Sequence, residues 1–597
     1  MALSPALNDS EGPTFTVTVE GRKIDNDRLV AIETWNRVNR VPRARLVFND
    51  GDPATGEFSL SAADDFLPGR KVQVSAGYGS SAATIFSGVI VRQGLDIIRD
   101  SQSRLVVELA DPALKMTLQR HNVVLKDKSD HDLIAQLISD NGLDAGRNEA
   151  PATAQEAIVQ LHASDWDMLV TRAEANGLVV LVDGGKVEVV KPDTSGAAVL
   201  KAGYGDSILD LEVGLDARDQ VAASGVTSRA WSYSTQAVTA GTLAEPSVTT
   251  PGNVDYATLA KVFGLSSVSR QSAAMLSGAT LDGWASAELL RARLAKVRGQ
   301  VRVQGTSAAG LGKMIELVDL GPRFSGKAYV SGVQHSMAGN RWLTTVEFGL
   351  ATGDFAQSAA RIAAAPAAGL LPPAGGLQTG IVKQMAVDDV GDFRVLVTLP
   401  LLGSENGVWA RLSGFYASNG FGTVFYPEID DEVILAFMGD DPRSPVILGS
   451  VYSAKRAPAL PPNKENDKKG IVTRSRIEMT FDDKDVIFEI KTPGGHSVTL
   501  NDKTGQVVIK DSNSNSVTLG KTDIVIDGGA SIHLTAKGDI TLKAGGNLDM
   551  QATANASLKA VQIKEEASAA YVAKGGGTAE FSSGGLLTVK GALVKIN

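Results

Sequence analysis

The chain has 597 residues, 43% of them hydrophobic and 21% charged, with a net charge near −9 and no cysteine. That length allows roughly three or four domains. The acidic balance argues against a nucleic-acid-binding surface, and the lack of cysteine excludes disulfides and thiolate chemistry. With 62 glycines against 6 tryptophans and 9 tyrosines, the composition points to many short strands and a mainly β fold with minor α. No apolar run approaches the roughly 18 residues of a membrane-spanning helix. The start, MALSPALNDSEG, has neither the basic nor the apolar stretch of a signal peptide, so the chain is expected to be made in the cytoplasm.

Taken in order, residues from about 14 to 110 read as strands separated by turn residues at short intervals, which suggests a small barrel. DHDLIAQLISDN (130–141) predicts a helix with Asp130 as N-cap and Gly142 just past its end. Ser164-x-x-Asp167 predicts a capped second helix that stops at Gly177. LVVLVDGGKVEVVKP then reads as a hairpin turning at Asp183-Gly184-Gly185. A long helix is expected over 282–298 and a short one over 354–364. Residues 365–377 are a Pro/Gly/Ala linker, 378–456 a strand-rich unit of the right size for a five-stranded OB barrel, and 457–472 a second Pro-rich joint.

The last part of the chain, 473–597, is a repeat. From Ser531 it reads SIHLTAKG, DITLKAGG, NLDMQATA, NASLKAVQ, an eight-residue register. Ile532, Ile540, Leu548 and Ala556 recur eight apart, as do Leu534, Leu542, Met550 and Leu558. Two apolar residues flank one polar residue in each unit, the period-two pattern of a half-buried strand. SVTL, VVIK, SVTL and IVI upstream carry the same pattern less regularly. One octad buries only two apolar side chains, worth about 1.5–3 kcal/mol each, while ordering each residue costs about 1–2 kcal/mol of backbone entropy. The stripe is therefore expected to be buried against the same stripe of other copies, in a three-chain prism. An ordinary meander of hairpins is the alternative.

Candidate chemistry is sparse. The six histidines (121, 131, 162, 335, 496, 533) show no metal-ligand spacing, and His533 falls at an outward position of its octad. Gly77-Tyr78-Gly79 is followed by a strand instead of the helix a dinucleotide fold needs. Gly310-Leu-Gly312-Lys313 lacks the phosphate-loop glycine at Ser307 and the hydroxyl at Met314. Glu428, Asp430, Asp431 and Glu432 could pair for glycoside hydrolysis, but they sit at a strand entrance, where acidic residues are usually solvated. No cofactor, metal or catalytic residue is expected.

The run 380–452 resembles the barrel of the VgrG and contractile-phage baseplate spike family. The matching residues include Trp409, Arg411, Gly420, Gly422, Pro427, Asp431, Glu432, Gly439, Asp440, Pro442 and Gly449. The family usually has Gly where Asp430 stands. Ser164-Asp165-Trp166 through Arg172 and Gly177 resembles a segment of the family's hub, and Pro68-Gly69 with Phe86-Ser-Gly88 its first barrel.

The resemblance implies a hub over 1–364 with two tandem barrels and inserted helices, the OB barrel, and an intertwined three-chain β-helix needle in a homotrimer. The implied partners are a hexameric inner tube protein, baseplate proteins, and a PAAR-type tip protein at Leu593, Val594, Lys595, Ile596 and Asn597. Transient contact with a target membrane is also implied, in a type VI secretion-like or extracellular phage-tail-like particle. A spike-borne cell-wall hydrolase and a trimeric adhesin fibre are the competing classes. The roughly twenty residues between Ser453 and Thr473 leave no room for a lysozyme domain. No aromatic-rich head follows Ala592.

Overall fold

The computed structural model describes residues 12–79, 81–98, 102–358, 362–385, 391–403 and 406–596. The first eleven residues, Ser80 of the Gly77–Ala82 turn, residues 359–361 of the expected 354–364 helix, and Asn597 lie outside them. The chain divides into two compact units, Met1–Val451 and Tyr452–Asn597.

Strand alternation builds the first unit. Arg43–Asn49 buries Ala44, Leu46 and Phe48 while Arg43, Arg45 and Asn49 face outward. A 13-stranded sheet runs through the first half of the chain. Its central seam is Gly326–Ala338, which pairs antiparallel with Leu29–Arg37 on one side and Arg341–Phe348 on the other. One core lies on the early strands, with Ile32, Leu46, Phe48, Val74, Leu105 and Val107; Met337 and Trp342 join it from the later ones. A second core gathers Leu200, Val301, Ile315, Val330, Val346 and Phe348. The expected tandem barrels thus take the form of two cores wrapped by one continuous sheet. The Gly77–Ala82 stretch joins two antiparallel strands, with Tyr78 opposite Ser81.

A third core is helical. Helix Asp130–Asp140 is capped by Ser129, not by Asp130 as expected. The Ser129 hydroxyl accepts the Asp132 N–H at 3.1 Å, and the Asp132 carboxylate accepts the Ser129 N–H at 3.1 Å. Asp130 is instead buried and accepts both arms of Arg172, at 2.8 and 2.7 Å, tying this helix to the next. That next helix, Asp165–Ala175, starts on Ser164 as the sequence indicates. The segment Ser164-Asp165-Trp166 is thereby explained residue by residue. Ser164 caps, Asp165 accepts Asn141 and Gln160 at 2.8 and 2.9 Å, and Trp166 is buried among Leu133, Ile138 and Leu169. The long helix runs Gly278–Ala295, four residues earlier than expected, because Ser277 caps it through the Thr280 N–H at 3.2 Å. Of the short one, the described residues show Phe355–Ser358.

The OB barrel closes from Gln378–Gln384, Val395–Thr398, Val408–Leu412, Glu432–Phe437 and Pro445–Ser450. Its interior holds Val382, Val395, Val397, Ala410, Val433, Leu435 and Ile447, supplied by alternate positions of the strands.

Candidate trimerisation face and barrel motif

In the second unit Lys468–Asp527 folds into a 7-stranded antiparallel meander. Its register sets two apolar rows side by side. Met479, Ile490, Val498, Ile509, Val517 and Ile526 stand opposite one another from strand to strand. Phe481, Phe488, Leu500, Val507, Leu519 and Ile524 do the same two positions along. Residues two apart share a face, so both rows lie on one side of the sheet. The other side carries Glu489, Thr499 and Thr518. For this stretch the hairpin meander, the alternative weighed from sequence, is the arrangement within one chain.

Among the described residues the apolar side is incompletely covered. Among the described residues no hydrophobic side chain beyond Ile447 is buried, and Ile509, Ile526 and Ile524 remain 50%, 57% and 67% exposed. A groove of about 520 Å³ runs along the stripe, lined by Ile490, Val498, Ile509, Val517 and Ile526, and Ile532 of the first octad borders it.

From Ser531 onward the pattern changes. Within one chain the octads find no partner strand: residues 531–596 carry no ladder pairing among the described residues. Ile532, Leu534, Ile540, Leu542, Leu548, Met550 and Leu558 are 52–84% exposed. The reason is that an octad contains too little chain to turn back and pair with itself, so its backbone groups and apolar pair need other chains.

The eight-residue period is nonetheless present as bends at 529–530, 537–538, 545–546, 553–554, 561, 568–569, 576–577, 584–585 and 592–593. The step from 561 to 568 is one residue short. This slip hides the later repeats from a strict eight-residue count. Past it, Ile563, Tyr571, Phe581, Leu587 and Val589 occupy the octad's apolar positions and are 50–71% exposed. The sequence reading missed them, along with the twelve-residue double row upstream.

The switch between the two modes is a tight junction. Asp511 accepts the Asn515 side-chain amide at 2.8 Å and the backbone N–H groups of Asn515 and Asn513 at 2.9 and 2.8 Å, and these bonds hold its carboxyl down at about 2. Asn515 Oδ1 in turn accepts the Gly529 N–H at 2.8 Å. A Cβ at Gly529 would lie 2.6 Å from the Asn513 carbonyl oxygen, so glycine is required by close approach.

The barrel motif residues are spread around the fold. Trp409 stands opposite Leu396, Arg411 opposite Val446, and Gly449 opposite Ile434. Pro427 is buried. Gly439 and Asp440 both take left-handed backbone in the turn before Pro442, and the Asp440 carbonyl accepts the Ala374 N–H at 2.8 Å. In the acidic cluster, the Asp431 carboxylate accepts the Glu428 N–H at 2.8 Å and closes a turn. Asp430 has φ +67°, the left-handed region where glycine is unstrained, which accounts for the family's usual residue there. The Asp431 carboxylate and the Glu428 backbone N–H thus close the turn that feeds strand Glu432–Phe437. No group of three or more His, Asp or Glu among the described residues could hold a metal ion. No helix among them is long and apolar enough to cross a membrane.

A family model described as the Alg8 N-terminal domain matches residues 9–339, more than half of the chain. The chain belongs to that family. Downstream, the type VI secretion system/phage-baseplate injector OB domain matches 378–452, and the phage baseplate V C-terminal trimerisation domain matches 487–546. Barrel and tail are therefore VgrG-like, in agreement with the motifs read from the sequence. The trimerisation match spans most of the meander and the first octads. It supplies what the bare apolar face requires, two further copies of the chain.

The type VI secretion system spike proteins VgrG1c and VgrG1a of Pseudomonas aeruginosa are each 32% identical over 88 residues, 13% of this chain and 12% and 14% of theirs. The chain thus matches about an eighth of the length of these curated relatives. Among solved structures, the 43 kDa tail protein of prophage MuSo2 from Shewanella oneidensis is similar at a TM-score of 0.43 and 9% identity, over 57% of this chain and 98% of that one. A type VI secretion component of E. coli is similar at a TM-score of 0.35 and 13% identity, over 73% and 99%.

Proposed function

We propose that the protein is the central spike of a contractile injection machine and works mechanically. Three copies join through their tails. The hub (1–364) seats on a hexameric inner tube among baseplate proteins, and the OB barrel (378–456) leads into the needle (473–597). Leu593–Asn597 carry a PAAR-type tip protein, and sheath contraction drives the assembly through the target envelope.

The observation that carries this reading is the coreless tail. A seven-stranded sheet with a continuous apolar stripe, followed by octads that show no pairing of their own among the described residues, is stable only when closed by copies of itself. In such a prism Ile532, Leu534, Ile540, Leu542, Leu548, Met550 and Leu558 line the axis, and Lys, Asp and Thr face outward. Closure pairs the backbone internally and leaves no strand edge to be desolvated in hydrocarbon. Intertwining slows unfolding, the form of stability a loaded piercing part needs. The engagement of Asp431 in a turn disfavours the hydrolase reading.

Truncation after Ser453 tests the proposal in particles. The shortened chain should retain a folded hub that binds the tube protein, while trimerisation, tip-protein binding and injection are lost. Normal injection by such particles would refute the needle's role.

A further inference from the structure

The barrel carries an apolar surface that its own fold does not use. The stretch 413–427, SGFYASNGFGTVFYP, has no charged residue and five aromatic ones, in a chain that is 21% charged and 5% aromatic. It leaves the barrel after strand Val408–Leu412 as a small hairpin, Ala417–Ser418 against Phe421–Gly422. Phe415 is fully exposed, and Tyr416, Phe421, Val424 and Phe425 are 57–77% exposed. Tyr416 and Phe421 pack against each other at a tilt of 56° with ring centres 5.7 Å apart, and the Tyr426 hydroxyl donates to the Phe393 carbonyl at 3.1 Å, which adds exposed Phe393 to the patch. Aromatic enrichment with charge depletion marks the buried centre of an interface, and exposed apolar patches of this kind have partners.

A second apolar corner lies at the other end of the barrel. Val395–Thr398 runs antiparallel to Val408–Leu412, with Val395 opposite Ala410 and Val397 opposite Val408. The turn Pro400–Leu402 therefore sits at the start of strand Val408–Leu412, and the aromatic loop at its finish. Leu401 and Leu402 are 94% and 70% exposed there.

A threefold ring needs this pairing. Its contacts are head to tail, so each copy must offer two different surfaces that fit each other. We infer that the aromatic loop of one barrel packs on the Leu401–Leu402 corner of the next, closing a three-barrel collar. The inference rests on the trimer proposed above. Tethering by the tail through the short connection from Ser450 to Lys468 raises the effective concentration of neighbouring barrels to about millimolar, so a small contact suffices.

The chain has no cysteine, so a cross-link in the full chain tests the collar. The double variant Phe415→Cys/Leu401→Cys, treated with a short bis-maleimide, should give covalent dimers and trimers on a denaturing gel, while each single variant gives single chains. Both side chains are exposed, and sedimentation of the same variants reports whether the trimer is intact. Dimers from Phe415→Cys alone would mean that the loops meet one another, and would overturn the inference. Trimeric double variants without cross-links would show the loop facing some other partner, and would also overturn it. Monomeric unsubstituted chain would sink the trimer itself, a result distinguishable from both.

Discussion

Replacing Ile540 by Asp separates a buried tail from an exposed one. In one chain Ile540 is 56% exposed, so on a free surface the change would move stability by no more than about 0.5 kcal/mol. In a three-chain prism the same change removes about 1–1.5 kcal/mol of burial per copy. It also brings three carboxyls together in a dry core. Each must either ionise there or take up a proton, and protonating an Asp at pH 7 costs about 4 kcal/mol, from its ordinary value near 3.9. The total is on the order of 15 kcal/mol per trimer at neutral pH. Burial raises the carboxyl's folded-state value, so the protonation part of the penalty disappears as pH falls to about 4. Sedimentation and thermal unfolding should thus show an Ile540→Asp tail that dissociates far below the wild-type temperature at pH 7 and recovers in large part at pH 4. An Ile540→Asp protein with wild-type sedimentation and melting at pH 7 would refute the prism.

Three further outcomes are expected. Gly529→Ala should lower the melting temperature of the tail by an amount corresponding to about 1–3 kcal/mol, because the added Cβ meets a backbone oxygen at 2.6 Å that has no room to yield. In the barrel, Asp430→Gly should be tolerated, whereas Asp430→Val should cost about 1–2 kcal/mol more in calorimetry, since a β-branched residue is strained at φ +67°. His335 is buried beside Thr344 and Trp342, and burial pushes its value down to about 4 from 6.5. The unfolded chain therefore binds the extra proton between pH 6.5 and 4. Hub stability should fall by about 3 kcal/mol as pH drops through that window, and melting of His335→Gln should show less of this dependence.

Much of the fold was legible because its signals are local. Ser164-x-x-Asp167 caps its helix, Asp183-Gly184-Gly185 turns its hairpin, and the octad period recurs in the bends of the tail. Where reading failed, a neighbouring residue competed for the same role or a register slipped. Ser129 takes the cap because Asp130 is claimed by Arg172, a partner 42 residues away. The core positions after Leu558 were missed because one seven-residue unit breaks the count. The double apolar row of the meander was read only as scattered alternation, since strand-to-strand register is set by turns.

The sequence alone determined the three-part plan of hub, barrel and repeat tail, since periodicity, turn residues and motif order are carried by neighbours in the chain. Tertiary structure alone decided where the tail stops pairing with itself. Up to Asp527 each strand finds its partner in the next, and beyond Gly528–Gly529 none does among the described residues. Periodicity reports that a face will be buried. Only the absence of an intrachain partner in three dimensions reports that another copy of the chain must bury it.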